Sequence, residues 1–317
     1  MSSVNNLQLA GVPSADISVP ADAGTTDGAA VTQPSVTAAN NCEPSVPVTF
    51  SITYPGGSTG STWPARFPVG NSTVVWSATD SGGNVTTASR TYTVENYQLA
   101  TIDVNFAGVI NAAIVFNQDI RLRLSSGDVV TVTVPFTGSN GAVIDAQIPV
   151  RSDYTCISAK DAVHTVADAQ TLSVSGTKYV ASGAFVLKAG DSNDDNLVDI
   201  LDFSIFVGDR GTGKTPSSRS NFNRDSNVNN ADFSFISQNF LVAGDTCAGG
   251  FFNGDGPLAR ISVKELRRRG LGHLEQADIN MDGWVDEVDI GLAIEGQYRP
   301  DYPNELHPSD EVEFPSW

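Results

Sequence analysis

Apolar residues recur at every second position through most of the first 188 residues. VPVTFSITY (46–54), STVVWSATD (72–80) and SRTYTVENY (89–97) alternate in this way. So do TIDVNFAG (101–108), RLRLSSGDVVTVTVPF (121–136), GAVIDAQIPV (141–150), DYTCISAK (153–160) and TKYVASGAFVLK (177–188). Alternation at period two predicts strands with one buried face. Turn-forming clusters, PGGSTGS (55–61) and SGGN (81–84), separate the runs at the spacing of a β-sandwich. Ser125-Ser126-Gly127-Asp128 predicts a hairpin turn. The expected fold of this part is two β-sandwich domains that meet near Glu95–Tyr97.

After residue 189 the alternation stops, and Asp, Asn and Phe dominate. In DSNDDNLVDILD (191–202), the residues Asp191, Asn193, Asp195, Asp199 and Asp202 stand at positions 1, 3, 5, 9 and 12 of a twelve-residue loop. Position 7, Leu197, offers its backbone carbonyl. These are the oxygen-donor positions of an EF-hand-type loop. Calcium takes six to eight oxygens at about 2.3–2.6 Å, and alternate residues of a tight loop supply them. Asn196 stands at position 6, where Gly is usual, and Asn tolerates the left-handed conformation best after Gly.

The template recurs. NFNRDSNVNNAD (221–232) places Asn221, Asn223, Asp225, Asn227, Asn229 and Asp232 at positions 1, 3, 5, 7, 9 and 12. DINMDGWVDEVD (278–289) places Asp278, Asn280, Asp282, Trp284, Asp286 and Asp289 there, with Gly283 at position 6. FFNGDGPLARIS (251–262) reads as a worn copy that keeps Asn253, Asp255 and Gly256, and it is expected to be empty. Repetition near thirty residues predicts one duplicated loop-and-helix unit. The helices are expected in ILDFSIFVG, ADFSFISQNFL, SVKELRRRG and VDIGLAIEG. About three calcium sites follow.

Charge narrows the function. The chain carries 36 acidic against 18 basic residues, a formal net charge of −18. Nucleic acid is an unsuitable partner for such a surface, whereas hard cations suit it. No run of eighteen apolar residues is present, so no membrane span is expected. The first twenty residues lack a basic start and an apolar stretch, so no signal peptide is expected at Met1. Cys42, Cys156 and Cys247 form no C-x-x-C pair, which argues against zinc and redox motifs and leaves three possible pairings.

Residues 208–215, GDRGTGKT, match the phosphate-loop pattern G-x-x-x-x-G-K-[ST]. Such a loop works between a buried strand and a helix. Here a helical stretch precedes it and the Asn221 loop follows, so no nucleotide is expected. Asp161 and His164 are a nominal catalytic pair, but no activated nucleophile accompanies them, and His164 reads as a surface loop residue.

Residues 67–94, FPVGNSTVVWSATDSGGNVTTASRTYTV, with ISVPADAG (17–24) and the Asn-Asn-Cys step at 40–42, resemble a hyalin repeat (HYR) domain. The resemblance covers about residues 10–95. It implies an immunoglobulin-like extracellular module of adhesion or display. A second cysteine of that family is missing here, so Cys42 lacks the usual local partner. The middle region resembles carboxypeptidase-regulatory or transthyretin-like sandwiches. Tandem loop-then-helix units with Asp at position 12 resemble dockerin type I modules, which implies calcium-dependent folding and a cohesin-like partner.

The expected fold class is therefore mainly β over the N-terminal two-thirds, as two immunoglobulin-like β-sandwiches, followed by small α-helical EF-hand-type, dockerin-like repeats. The expected segments are 1–96, 97–188, 189–247, 248–300 and an acidic tail at 301–317. The expected function is non-catalytic: an extracellular or cell-surface calcium-binding adhesion, display or assembly protein, whose partner is a cohesin-like or cell-surface protein or a glycan. Two alternatives are the non-catalytic end of a secreted polysaccharide-degrading enzyme and a structural subunit of a surface layer or filament.

Overall fold

Alternating runs become strands, and the strands are grouped differently from their order along the chain. The computed structural model describes residues 6–108, 110–161, 164–211, 219–225, 227–247 and 256–299. The second half of GDRGTGKT (212–215), the first five residues of the worn loop and the tail at 301–317 lie outside these residues. The chain is mainly β, and its α-helices all follow residue 199. It divides into two compact units. One holds Met1–Ala100, Asp145–Asp153 and Val174–Val180; the other holds Thr101–Ile144, Tyr154–Ser173 and Ala181–Trp317. These units do not coincide with the consecutive segments drawn from sequence character.

The first unit contains a five-stranded sheet in the order Ile17–Pro20, Val85–Glu95, Gly70–Thr79, Val48–Thr53, Thr59–Gly60. Its first pair is parallel and the others are antiparallel. Val74, Trp76 and Ala78 alternate inward on the central strand, as period two requires. Val74 and Trp76 meet Ile52, Phe67 and Tyr92, and the rings of Phe67 and Tyr92 stack 5.1 Å apart. Gly28, at φ 111°, lets the chain run against the Phe67 carbonyl, where any Cβ would collide. Buried Gln98 ties later segments to this unit. Its amide donates to the Asp22 and Thr25 carbonyls and accepts from the Arg151 amide.

In the second unit, seven strands run in the order Asp168–Ser175, Cys156–Asp161, Val115–Leu124, Val129–Thr137, Asn140–Gly141, Val104–Ala107, Phe185–Lys188. The hairpin expected at 125–128 joins Val115–Leu124 to Val129–Thr137, with Gly127 at φ 91°. The strand Asp168–Ser175 was not anticipated. Its partner Cys156–Asp161 is paired on both sides and buried from Ile157 onward. That burial includes Lys160 and Asp161, two charges inside a sheet.

Four α-helices follow among the described residues: α1 (Ile200–Asp209), α2 (Asn230–Asn239), α3 (Val263–Arg268) and α4 (Glu287–Ile294). They share one apolar core. Phe203 and Phe206 of α1, Phe233 and Ile236 of α2, Leu266 of α3 and Ala293 of α4 all belong to it. Val166 and Ala189 from the strand region join the same cluster. The two expected loop pairs therefore pack as one body with the sheet's edge. Cys156 and Cys247 are disulfide-bonded, with Cα atoms 5.5 Å apart, and Cys42 is free and exposed.

Candidate metal centre

Three loops lead into α1, α2 and α4, and they repeat one hydrogen-bond pattern position by position. The side-chain oxygen at position 3 accepts the amide at position 5, at 3.1 Å in Asn193–Asp195, 2.9 Å in Asn223–Asp225 and 3.0 Å in Asn280–Asp282. The carboxylate at position 5 accepts the amide at position 7: Asp195 from Leu197, Asp225 from Asn227, Asp282 from Trp284. The carboxylate at position 12 reaches back across the loop. Asp202, Asp232 and Asp289 accept the position 3 amides at 3.3, 3.1 and 3.2 Å. The loop is thus wound by its own short polar side chains, which is why Asp and Asn fill the odd positions.

Positions 9 and 12 also start each helix. Asp199, Asn229 and Asp286 are the N-caps, and each accepts the amide two residues on. Asp202, Asp232 and Asp289 stand at the third helical position and accept the cap residue's own amide, completing a capping box. An anionic helix start is favourable by itself. The residues at positions 9 and 12, expected as ligands, are thus also the ones that start the helices.

The caps also correct the register of the worn loop. The N-cap of α3 is Ser262, which accepts the Glu265 amide. Position 9 is the cap in the other three loops, yet Ser262 had been counted as position 12. Counted from its cap, this copy begins three residues later, at 254. Ile261 then falls at position 8, where it pairs with Val285, itself at position 8 of the loop at 278. In the loop at 191 the position 8 residue Val198 is fully buried, but it pairs with Val242, beyond α2.

Position 4 takes a left-handed backbone in all three loops: Asp194 at φ 64°, Arg224 at φ 58° and Met281 at φ 60°. Met281 is exposed. The other two are held by the sheet of their own unit. Asp194 receives Arg121 at 2.5 Å and Lys160 at 2.6 Å. Arg224 donates to Asp161 at 2.9 Å and lies 4.3 Å over the Phe116 ring. Asp161 is further held by Gln118 and by His164, each at 2.9 Å. His164 is therefore buried rather than a surface loop residue, and it serves a structural network.

The loop at 191 is the most enclosed. Asp191, Asp199 and Asp202 are buried. Oδ2 of Asp191 accepts from the Asn196 amide at 2.9 Å and from Lys160 Nζ at 2.6 Å. Its Oδ1 is buried and has no hydrogen-bond partner among the described residues. In the loop at 278, Asp278 likewise accepts the position 6 amide of Gly283, at 3.1 Å. Burial pushes the Asp191 carboxyl up to about 6, against the opposing pull of Lys160. Burial also raises Asp195, Asp199 and, most of all, Asp202, with the neighbouring carboxylates adding to each. Asp232 and Asp289 rise for the same first reason. Among the described residues no three His, Cys, Asp or Glu side chains already converge as a metal cluster. The carboxylates of the loops take backbone amides, and the remaining donors are Asn side chains and carbonyls.

GDRGTGKT begins inside α1. Gly208 and Asp209 are helical, and Asp209 accepts Arg219 at 3.1 Å and Ser220 at 2.7 Å. No protein-family model matches this chain, and neither a curated protein nor a solved structure matches it significantly. Among the described residues no helix is long and apolar enough to cross a membrane.

Proposed function

We propose that the chain is a non-catalytic, calcium-stabilised protein of the extracellular space or cell surface, built from β-sandwich modules and dockerin-like loops, that serves adhesion, display or assembly. The observation that carries this reading is Asp191. Its carboxylate lies buried at position 1 with one oxygen unpartnered among the described residues, in a loop with carboxylates at positions 1, 5, 9 and 12. A hard cation answers both features, and the donor set of the loop is entirely oxygen. The residues fit calcium. Asp191, Asn193, Asp195, Asp199 and Asp202, with the Leu197 carbonyl, would hold it in the first loop, and the matching residues at 221–232 and 278–289 in the others. Calcium would supply charge compensation and tie loop to helix.

A partner surface is part of the same reading. A groove of about 600 Å³ between α2 and α4 is lined by Phe233, Ile236, Phe240 and Ile290. Leu241, Val288 and Ile294 leave apolar surface exposed along it. This supports assembly with a protein, of which a cohesin-like domain is one instance.

The test is a calcium titration by calorimetry on chelator-stripped protein. Three sites are expected, with the loop at 221 weakest because it has two carboxylates against four in each of the others. Absence of heat would reject the reading.

A further inference from the structure

The loops at 191 and 278 carry the same number of carboxylates, yet the structure treats them differently. Asp278 at position 1 has backbone amides as its protein partners: Asp282 N on Oδ1 and Gly283 N on Oδ2, both at 3.1 Å. Asp191 has the matching position 6 amide and a cation as well. Lys160 Nζ stands 2.6 Å from Asp191 Oδ2 and 2.6 Å from Asp194 Oδ1, with the lysine side chain fully buried. The lysine comes from the strand Cys156–Asp161, which is fixed by pairing on both sides. Arg121, on the neighbouring strand, donates to both carboxylate oxygens of Asp194.

From this we infer that Lys160 is a resident counter-cation of the first loop: it holds position 1 in place so that the loop stays wound without calcium, and it leaves only Oδ1 of Asp191 for the metal. The inference rests on the calcium reading above and deepens it. Two physical points support it. A buried carboxylate is tolerable only with a nearby opposite charge or a metal. A side chain fixed by a sheet loses little freedom in holding the loop, so the site is organised beforehand. Among the described residues no cationic side chain pairs with Asp278. The loop at 278 has the same internal hydrogen bonds but no such anchor among the described residues, so its winding should open in chelator, while that of the loop at 191 should not. Lys160 acts as a positioning residue.

Amide hydrogen exchange followed by NMR reads both loops at once, at the equivalent position 6 amides of Asn196 and Gly283. In the unmodified chain with chelator, the Asn196 amide should remain protected while the Gly283 amide exchanges freely. With calcium, both should be protected. In Lys160→Met, the Asn196 amide should lose protection about a hundredfold in chelator, the scale of breaking a buried pair, and regain it in calcium. Lys160→Gln keeps a donor without the charge and should behave as the Met variant does.

If Asn196 and Gly283 lose protection together in the unmodified chain, the inference fails, and this outcome needs no variant. It also fails if Lys160→Gln protects Asn196 in chelator as well as lysine does, or if calcium does not restore Lys160→Met. Calcium failing to protect either amide in the unmodified chain would instead defeat the calcium reading itself.

Discussion

Asp194 and Arg224 occupy the same position of successive loops, share the same left-handed backbone and carry opposite charges. Each enters the sheet of its own unit at the same two strands: Asp194 at Arg121 and Lys160, Arg224 at Phe116 and Asp161. Lys160 and Asp161 are consecutive residues. The sheet thus presents a cation to one loop and an anion to the next, and each loop can seat in one place only. Position 4 is not a calcium-donor position, so it is free to serve as this contact.

Removing Arg224 takes the guanidinium from buried Asp161, which keeps Gln118 and His164. Arg224→Met should destabilise the chain by about 3–5 kcal/mol, since Asp161 then has no guanidinium. Arg224→Met combined with Asp161→Asn should cost markedly less than the sum of the two single changes. Denaturant unfolding of the four proteins measures the coupling, and additive costs would show that the pair is unimportant.

Acidity should act oppositely with and without calcium. Asp191 is raised to about 6 from an ordinary 3.8. The folded state therefore holds its proton more tightly than the unfolded state. In chelator, that contribution to stability is full below about pH 4 and is lost as the pH rises through about 6. Calcium needs the ionised carboxylate, so its affinity at this loop should fall as the pH drops below about 6, by up to about tenfold per unit. Calorimetric titrations at pH 5, 6 and 7 check this. An affinity indifferent to pH would exclude Asp191 as a ligand.

The cap role and the proposed ligand role separate by substitution. Asn229→Ala removes the cap of α2 and should cost about 1 kcal/mol even in chelator. Asp286→Asn keeps the cap of α4 but loses charge, so metal-free stability should hold while calcium affinity at that loop falls about tenfold or more. Thermal melts and titrations on the same samples distinguish the two effects.

Reduction should matter more than the free thiol. The Cys156–Cys247 bond closes a separation of 91 residues. By the chain-entropy relation its loss should cost about 4–5 kcal/mol. Thermal melts with and without reductant read it. Cys42 should react with a thiol reagent in the folded chain at one equivalent, because it is exposed.

Much of this arrangement was legible beforehand, and the rest was hidden for identifiable reasons. Alternation marked Gly70–Thr79 and the hairpin at 125–128 because half-buried strands must alternate. The spacing of Asp and Asn marked the three loops because side chains that wind a loop must recur at odd positions. The strand Asp168–Ser175 was overlooked although DAQTLSVS alternates, because no turn cluster of the usual kind introduces it. The register of the worn copy was misread because ligand-like residues were counted rather than the cap at Ser262. Lys160 and Arg224 could not be placed, since a charge inside a strand or loop looks solvent-bound until its partner is known. The one available signal was a lysine and an aspartate ending CISAKD, an otherwise uncharged strand.

The disulfide also decides where tension would travel. A pull applied on the N-terminal side of Cys156 and the C-terminal side of Cys247 crosses the molecule through the sulfur atoms. The stretch between them, with the loops at 191 and 221 and helices α1 and α2, sits in a closed ring and bears no load. The loop at 278 and α4 lie beyond Cys247, in line with the force. Under strain they are open to yielding, as are the strands before Cys156, while the loop seated on Lys160 is shielded.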